Sequence, residues 1–265
     1  GPNIAIEYRW TEGRTERLPE LVAELIRLNV DVIYTQGSNA AAHAAMRATT
    51  TIPIVFTTPA DPLATGLVAR LARPGGNVTG LGGGPSAPKR LQLLKEAVPK
   101  VTRVAVLWNP ANPSNQAGLK DIEEAAKVLG LQLHLVAVRE PAELDTAFSA
   151  MMHERANALL VFGDILFFAH RTRLVELAAK NRLPTMYNGT EYVKAGGPMS
   201  YTANAIERER RAAVYIDKIL KGTKPADLPV EQPMRFELVI NLKTAEALGL
   251  TIPPSLLFRA DQVIQ

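Results

Sequence analysis

The sequence predicts an α/β protein whose parallel sheets are divided between two lobes, on three observations. Short apolar runs alternate with segments of helical periodicity along most of the chain, which is the pattern of right-handed βαβ units. There are more of these β–α pairs than a single sheet of about five or six strands absorbs. A Gly-, Pro- and Ser-rich stretch, Gly80 to Pro88, sits where the first set ends and marks a lobe boundary.

The elements follow in order. Asn3 to Tyr8 alternates Ile4, Ile6 and Tyr8 with smaller or polar neighbours, a period-2 strand signal. Leu18, Leu21, Val22, Leu25 and Ile26 recur at helical spacing. Val30 to Tyr34 is a strand ending in Thr35-Gln36-Gly37-Ser38-Asn39, and Ala40 to Ala48 is an Ala-rich helix. Ile52 to Phe56 is a strand closed by the polar loop Thr57-Thr58-Pro59-Ala60-Asp61-Pro62. Leu67, Val68 and Leu71 predict a helix, Pro74-Gly75-Gly76 a turn, and Val78 to Leu81 a strand.

The alternation continues beyond the boundary. Leu91, Leu94 and Val98 mark a helix, Val104 to Leu107 a strand, and Leu119, Ile122, Ala126 and Leu129 a helix that stops at Gly130. Leu131 to Val138, Ala158 to Phe162 and Pro184 to Tyr187 are strands, with helices over Leu144 to Met152 and Leu174 to Ala179 between them. A second glycine pair, Gly196-Gly197, precedes Met199-Ser200-Tyr201 and a helix from Ile206 to Leu220.

Composition bounds the chemistry. The 265 residues carry a formal charge of +4, too thin a basic excess to indicate a nucleic-acid partner. A chain of this length has core enough for two domains. No cysteine is present, which excludes Cys-ligated zinc and Fe–S sites, thiol nucleophiles and two-cysteine proton transfer. No apolar run reaches the roughly 18 residues of a membrane span.

Several motifs fail on detail. The cluster Gly80-Leu81-Gly82-Gly83-Gly84-Pro85-Ser86-Ala87-Pro88-Lys89 lacks the Gly-Lys-Ser/Thr ending of a phosphate loop, and Pro85 stands where a dinucleotide fingerprint needs its third glycine, so an inter-lobe connection is expected there. The histidines His43, His134, His153 and His170 lack the spacing that would place two on one helix face for a metal. No nucleophile elbow appears, and no Ser/His/Asp set can be assembled.

In open parallel sheets ligands sit outside the carboxyl ends of the strands, where helix N-termini present free N–H groups. This chain places Gln36, Gly37, Ser38 and Asn39 after one strand, Thr57, Thr58 and Asp61 after the next, and Asn109 to Asn115 after Leu107. Gly163 and Asp164 follow Phe162, and Tyr187, Asn188 and Glu191 follow Met186. Helix capping accounts for any one of these loops alone. Repetition of hydroxyls, amides and a few carboxylates across all of them points to a hydrogen-bonding pocket for a small polar or zwitterionic molecule. Without a base paired to a nucleophile, that pattern favours binding over catalysis.

The blocks I-A-I-E-Y-R-W from Ile4, R-P-G-G-N-V-T-G from Arg73, K-R-L-Q-L-L-K from Lys89, K-P-A-D-L-P-V from Lys224 and F-E-L-V-I-N from Phe236 closely resemble the bacterial ABC-transporter substrate-binding proteins of the tryptophan/tyrosine type. The resemblance runs over essentially the whole chain. It implies a type I periplasmic-binding-protein architecture, two flavodoxin-like, doubly wound lobes that close on a ligand by a hinge. Lobe 1 is then residues 1–82 with 203–226, and lobe 2 residues 83–202 with 227–265.

The ligand contacts that the resemblance implies are Gly37, Ser38, Asn39, Thr57, Thr58, Asp61, Asn109, Asn112, Ser114, Gly163, Asp164, Tyr187, Asn188, Glu191 and Tyr201. Ser38, Asn39 and Ser114 with nearby backbone N–H groups would hold a carboxylate, Asp164 or Glu191 would meet an ammonium, and Tyr187 would stack on an aromatic ring or line the cleft. The implied function is delivery of a small solute, such as an aromatic amino acid, to the membrane permease subunits of an importer. No catalytic residue, metal or cofactor is implied, nor any nucleic-acid partner, and the protein is expected to act as a monomer. Its place would be the periplasm or, lipid-anchored, the cell surface. Family members carry an export signal, a strand, a loop and a helix before the I-A-I-E-Y-R-W block, so this chain is expected to be part of a longer protein. The alternative is the ligand-sensing domain of a repressor-like protein, which requires a helix-turn-helix upstream; an α/β enzyme acting on a small carboxylate is a third class.

Overall fold

The computed structural model describes residues 4–12, 14–58, 61–83, 87–233 and 235–265. The chain forms two compact units, Gly1–Gly83 with Ala205–Pro233, and Gly84–Asn204 with Met234–Gln265. Both are α/β and built mainly from parallel strands, the class the alternation predicts.

The smaller unit opens with α1 (Leu18–Arg27), β1 (Ile33–Gln36), α2 (Asn39–Ala48), β2 (Ile54–Thr58) and β3 (Val78–Gly82). Its strands form a parallel sheet in the order β1-β2-β3, with Ile33 opposite Ile54 and Ile54 opposite Val78. Central β2 is buried along its length because both faces are covered. Ile54 and Phe56 pack with Leu18, Val22 and Ala45 on one side, while Val55 meets Ala212, Tyr215 and Ile219 on the other. Gly80 lets β2 and β3 approach: a Cβ there would sit 2.1 Å from the Phe56 carbonyl oxygen.

The larger unit contains α3 (Ala87–Ala97), β4 (Arg103–Trp108), α4 (Pro113–Val128), β5 (Gln132–Ala137), α5 (Leu144–His153), β6 (Ala158–Val161), α6 (Ile165–Ala169), α7 (Arg171–Lys180), β7 (Thr185–Tyr187), α8 (Thr190–Lys194) and β8 (Met199–Ala203). The chain returns to the smaller unit as α9 (Ala205–Leu220), then re-enters the larger one as β9 (Phe236–Asn241), α10 (Leu242–Ala247), α11 (Pro254–Arg259) and β10 (Gln262–Ile264). The strand order is β10-β9-β8-β7-β6-β4-β5, parallel except where β8 meets β9. Val104, Val106 and Leu160 face a core with Leu91, Leu94 and Ile122; Ala105, Leu107, Leu159 and Val161 face the opposite one with Phe148, Phe167 and Leu174. Among the described residues, no helix is long and apolar enough to cross a membrane.

Three sequence expectations differ from the structure. The alternating segment at the start is not a strand: residues 4–10 carry no ladder, Ile4, Ile6, Tyr8 and Trp10 are exposed, and Tyr8 stacks on Trp10 at 5.9 Å. Period-2 patterning yields a strand only where a neighbour supplies hydrogen bonds, and none does among the described residues. Asn3, the first residue of that expected strand, lies outside the described residues. Leu67 and Leu71 lie in bends and Val68 in irregular chain instead of a helix. Gly66 in the left-handed region ends the single turn begun at Asp61, and Leu67 and Val68 are buried by loop packing. Finally, Leu228 and Val230, assigned by sequence to the second lobe, are buried in the cores of the smaller unit, where Glu231 N–H donates to Gly80 O at 3.1 Å. Pro59, Ala60, Gly84, Pro85 and Ser86, which belong to the two expected connecting loops, lie outside the described residues.

Candidate functional site

Each unit gathers part of the strand-end set at its own sheet's carboxyl edge. In the smaller unit Gly37 takes a left-handed turn, and its N–H donates to Thr57 O at 2.7 Å, extending the β1–β2 pairing into the loop. Ser38 is extended and caps α2, its Oγ accepting from Ala41 N–H at 3.2 Å. Among the described residues the Ser38 hydroxyl proton has no acceptor. The Thr58 hydroxyl donates to Asn39 Oδ1, joining the β2 loop to the start of α2. Asp61 Oδ1 accepts from Leu63 N–H at 2.8 Å, within its own turn.

In the larger unit the loops after β4 and β6 converge on Asp164. Asp164 Oδ1 accepts from Leu166 N–H at 2.8 Å, capping α6, and from Asn109 Nδ2 at 3.2 Å; Oδ2 accepts from Asn112 Nδ2 at 2.7 Å. Asn112 in turn caps α4, its Oδ1 accepting from Ser114 N–H at 3.0 Å. Three donors occupy most of the roughly four lone-pair positions of a carboxylate, so Asp164 chiefly anchors the two loops.

Sequence reasoning missed Asn115, which is buried and completes the same network: its Oδ1 accepts from Asn109 N–H and its Nδ2 donates to Gly163 O, each at 2.9 Å. The signal lay in the run of asparagines from Asn109 to Asn115, of which Asn115 falls inside the helix, where polar side chains ordinarily face solvent.

Beyond β7 the chain packs tightly. A Cβ on Gly163 would lie 2.6 Å from Asn188 Nδ2, so only glycine admits the Asn188 side chain there. Asn188 Oδ1 is enclosed with no hydrogen-bond partner among the described residues. Tyr187 is fully buried and its ring already stacks on Tyr192, centroids 4.7 Å apart and planes within 10°. Gly197 closes the far side, since a Cβ there would fall 2.6 Å from the Tyr187 ring. Burial pushes both phenols well above the usual tyrosine range, with the Asp164 carboxylate adding to the effect at Tyr192. The Tyr192 hydroxyl is enclosed without a partner among the described residues. Phe168 meets Tyr192 edge-on at 6.3 Å and carries the Arg171 guanidinium over its face at 4.9 Å.

Burial also pulls the nearby Arg90 guanidinium on α3 down to about 10, against the opposing pull of Tyr192. Glu191 opens α8 beside Gly189. Tyr201 stands apart from this group and packs on Phe236 at 5.8 Å.

The groups brought together are thus Asn109, Asn112, Ser114, Gly163, Asp164, Tyr187 and Asn188 in the larger unit, and Gly37, Ser38, Asn39, Thr57 and Thr58 in the smaller. Most are half-buried and they offer both donors and acceptors, a chemistry suited to recognising a small polar molecule.

The family model described as ABC transporter substrate binding protein matches residues 1–264. The Tyrosine-binding protein of Clostridioides difficile (strain R20291) is 26% identical over 250 residues, 94% of this chain and 72% of that protein. A conserved domain protein from Vibrio cholerae O1 biovar El Tor strain N16961 is 28% identical with a TM-score of 0.92, covering 99% of this chain and 88% of that one. The ABC domain from Streptococcus pneumonia, solved in complex with L-Trp, is 27% identical with a TM-score of 0.90, covering 98% and 90%. The fold is that of these proteins, the type I periplasmic-binding-protein class.

Proposed function

The chain belongs to the ABC transporter substrate binding protein family, and from that premise we propose that its ligand is an amino acid with an aromatic side chain, handed unchanged to membrane permease subunits. Two relatives support the ligand class: one is named for tyrosine binding and another was solved with L-Trp. The observation that carries the reading is the pair of enclosed, unpartnered polar atoms, Tyr192 Oη and Asn188 Oδ1, beside the Asp164 network at the carboxyl edge of the larger sheet. A buried polar atom left unmatched costs stability, and a ligand group that supplied the missing hydrogen bonds would recover that cost, which supports this spot as a contact.

In the smaller unit, the Ser38 hydroxyl is the proposed donor to the ligand carboxylate. Asp164 serves as scaffold, and Tyr187 supports Tyr192 from beneath. Exported placement, at the periplasm or cell surface, follows the family's role. The family match over 1–264 favours transport above the repressor-like alternative.

A thermal-shift screen of the amino acids against the protein tests the ligand class. L-tyrosine, L-tryptophan or L-phenylalanine at about 100 times Kd should raise Tm by about 5–10 °C. Equal or larger shifts from aliphatic or charged amino acids would overturn the aromatic assignment. Recovery of the ligand chemically unchanged after prolonged incubation is the expected sign of binding without turnover.

A further inference from the structure

Two arginines lie within electrostatic reach of the Tyr192 hydroxyl, and they differ in access. Arg90 is buried on α3, whereas Arg171, the first residue of α7, is half-buried. Phe168 on α6 holds the Arg171 guanidinium in two ways. Nη1 donates to the Phe168 carbonyl at 3.0 Å, and Cζ lies 4.9 Å from the centre of the Phe168 ring. That ring is 44% exposed, so a solute reaches both the ring and the cation beside it. Ile165, three residues earlier on α6, is also exposed and extends the open apolar surface.

These contacts fix the cation without neutralising it. Arg173, two residues on, is paired with Asp145, but Arg171 forms no ion pair among the described residues. Its position is also unfavourable for a positive charge. The first turn of α7 holds no acidic residue, so the guanidinium stands at the positive end of the helix dipole. A bound anion would relieve that repulsion and take up the N–H donors that Phe168 leaves over. Asp164 opens the same short helix that carries Ile165 and Phe168, which sets this cation and its apolar surface beside the strand-end loops. A fixed, accessible cation against an open aromatic surface complements a molecule that joins a carboxylate to an aromatic ring.

We propose that Arg171 is the residue of the larger unit that binds the ligand's carboxylate, with Phe168 as the positioning residue that holds its guanidinium. This rests on the amino-acid reading above. A carboxylate offers about four acceptor positions, so a guanidinium and a hydroxyl can share one.

The test is calorimetric titration of the protein with L-tyrosine or L-tryptophan, whichever binds more tightly, and displacement of that ligand by its deamino acid and its decarboxylated amine. Arg171→Gln should weaken the amino acid and the deamino acid about tenfold each, the scale of one charge-assisted hydrogen bond, while the amine changes less than about twofold. Arg171→Lys, which keeps the charge and loses the planar fork, should recover part of that loss. Phe168→Leu should produce the same split at about threefold, since the guanidinium loses the ring it rests on. Arg171 is half-buried and its substitution removes a cation from a helix N-terminus, so Tm of the unliganded Arg171→Gln protein should equal or exceed that of the wild type. Equal weakening of all three ligands by Arg171→Gln, or no weakening, would overturn the proposal. A wild-type protein that binds neither amino acid would overturn the amino-acid reading itself, a result separable from the first because it precedes any substitution.

Discussion

Asn112 Nδ2 donates to Asp164 Oδ2 across 2.7 Å, tying the loop after β4 to the loop after β6. Both residues also cap helices, Asn112 for α4 and Asp164 for α6. Asp164→Ala leaves Asn109, Asn112 and Leu166 N–H without their acceptor, and the loss of the cap alone costs about 1 kcal/mol. Asp164→Asn retains one acceptor oxygen but sets an amide N–H₂ against that of Asn112 or Asn109. Thermal unfolding should rank wild type above Asp164→Asn above Asp164→Ala, with the alanine variant about 4–8 °C below wild type.

The Tyr192 hydroxyl separates a binding role from a folding role. It is enclosed and unpartnered among the described residues, so Tyr192→Phe should leave stability unchanged or raise it by up to about 1 kcal/mol. Ligand affinity should fall about three- to tenfold. Denaturant unfolding and calorimetry on the same sample read both, and a parallel fall of stability and affinity would make Tyr192 a purely structural residue.

Gly197 is fixed by the Tyr187–Tyr192 stack. The Cβ of Gly197→Ala would meet the Tyr187 ring at 2.6 Å and the Tyr192 carbonyl at 2.9 Å, neither of which can yield without tilting the pair. The substitution should cost about 1–3 kcal/mol. It should also alter the near-ultraviolet circular dichroism of the tyrosines.

Glu231 gives a pH signature. Arg211 reaches it with two bonds, Nε to Oε2 at 2.7 Å and Nη2 to Oε1 at 2.6 Å, and these hold the Glu231 carboxyl below its ordinary value. A depressed folded-state value means stabilisation that is fully present above the unfolded pKa, near 4.3, and is lost as pH falls through the folded one. Solvent exposure limits the pair to about 0.5–1 kcal/mol. Glu231→Gln should therefore cost about that much at pH 7 and flatten the acid limb of the stability curve below about pH 4.5.

The α/β class, the helices from α1 to α5 apart from their exact ends, and the strands β1 to β7 were legible because each combines a period with punctuation by glycine, proline or a capping residue. The helix expected at Leu67, Val68 and Leu71 misled because apolar spacing reports burial, and a loop pinned by Asp61 and Gly66 buries the same side chains. The segment from Ile4 to Trp10 misled for the reverse reason: alternation states which face would be apolar and nothing about whether a partner strand lies alongside. At the site, the loops could be placed from sequence, since parallel sheets put them at one edge. Their internal bonding could not. That Asp164 anchors two asparagines, or that the Tyr34 hydroxyl joins Thr57 to Glu209, depends on contacts between residues as far as 55 and 175 positions apart.

The central claim is that this family member binds an aromatic amino acid, and calorimetric titration of the protein with L-tyrosine and L-tryptophan tests it most directly. Saturable binding at one site, with L-alanine and L-glutamate at least about tenfold weaker, is the predicted result. No heat of binding from either aromatic amino acid, or tighter binding of the aliphatic and acidic ones, would contradict it.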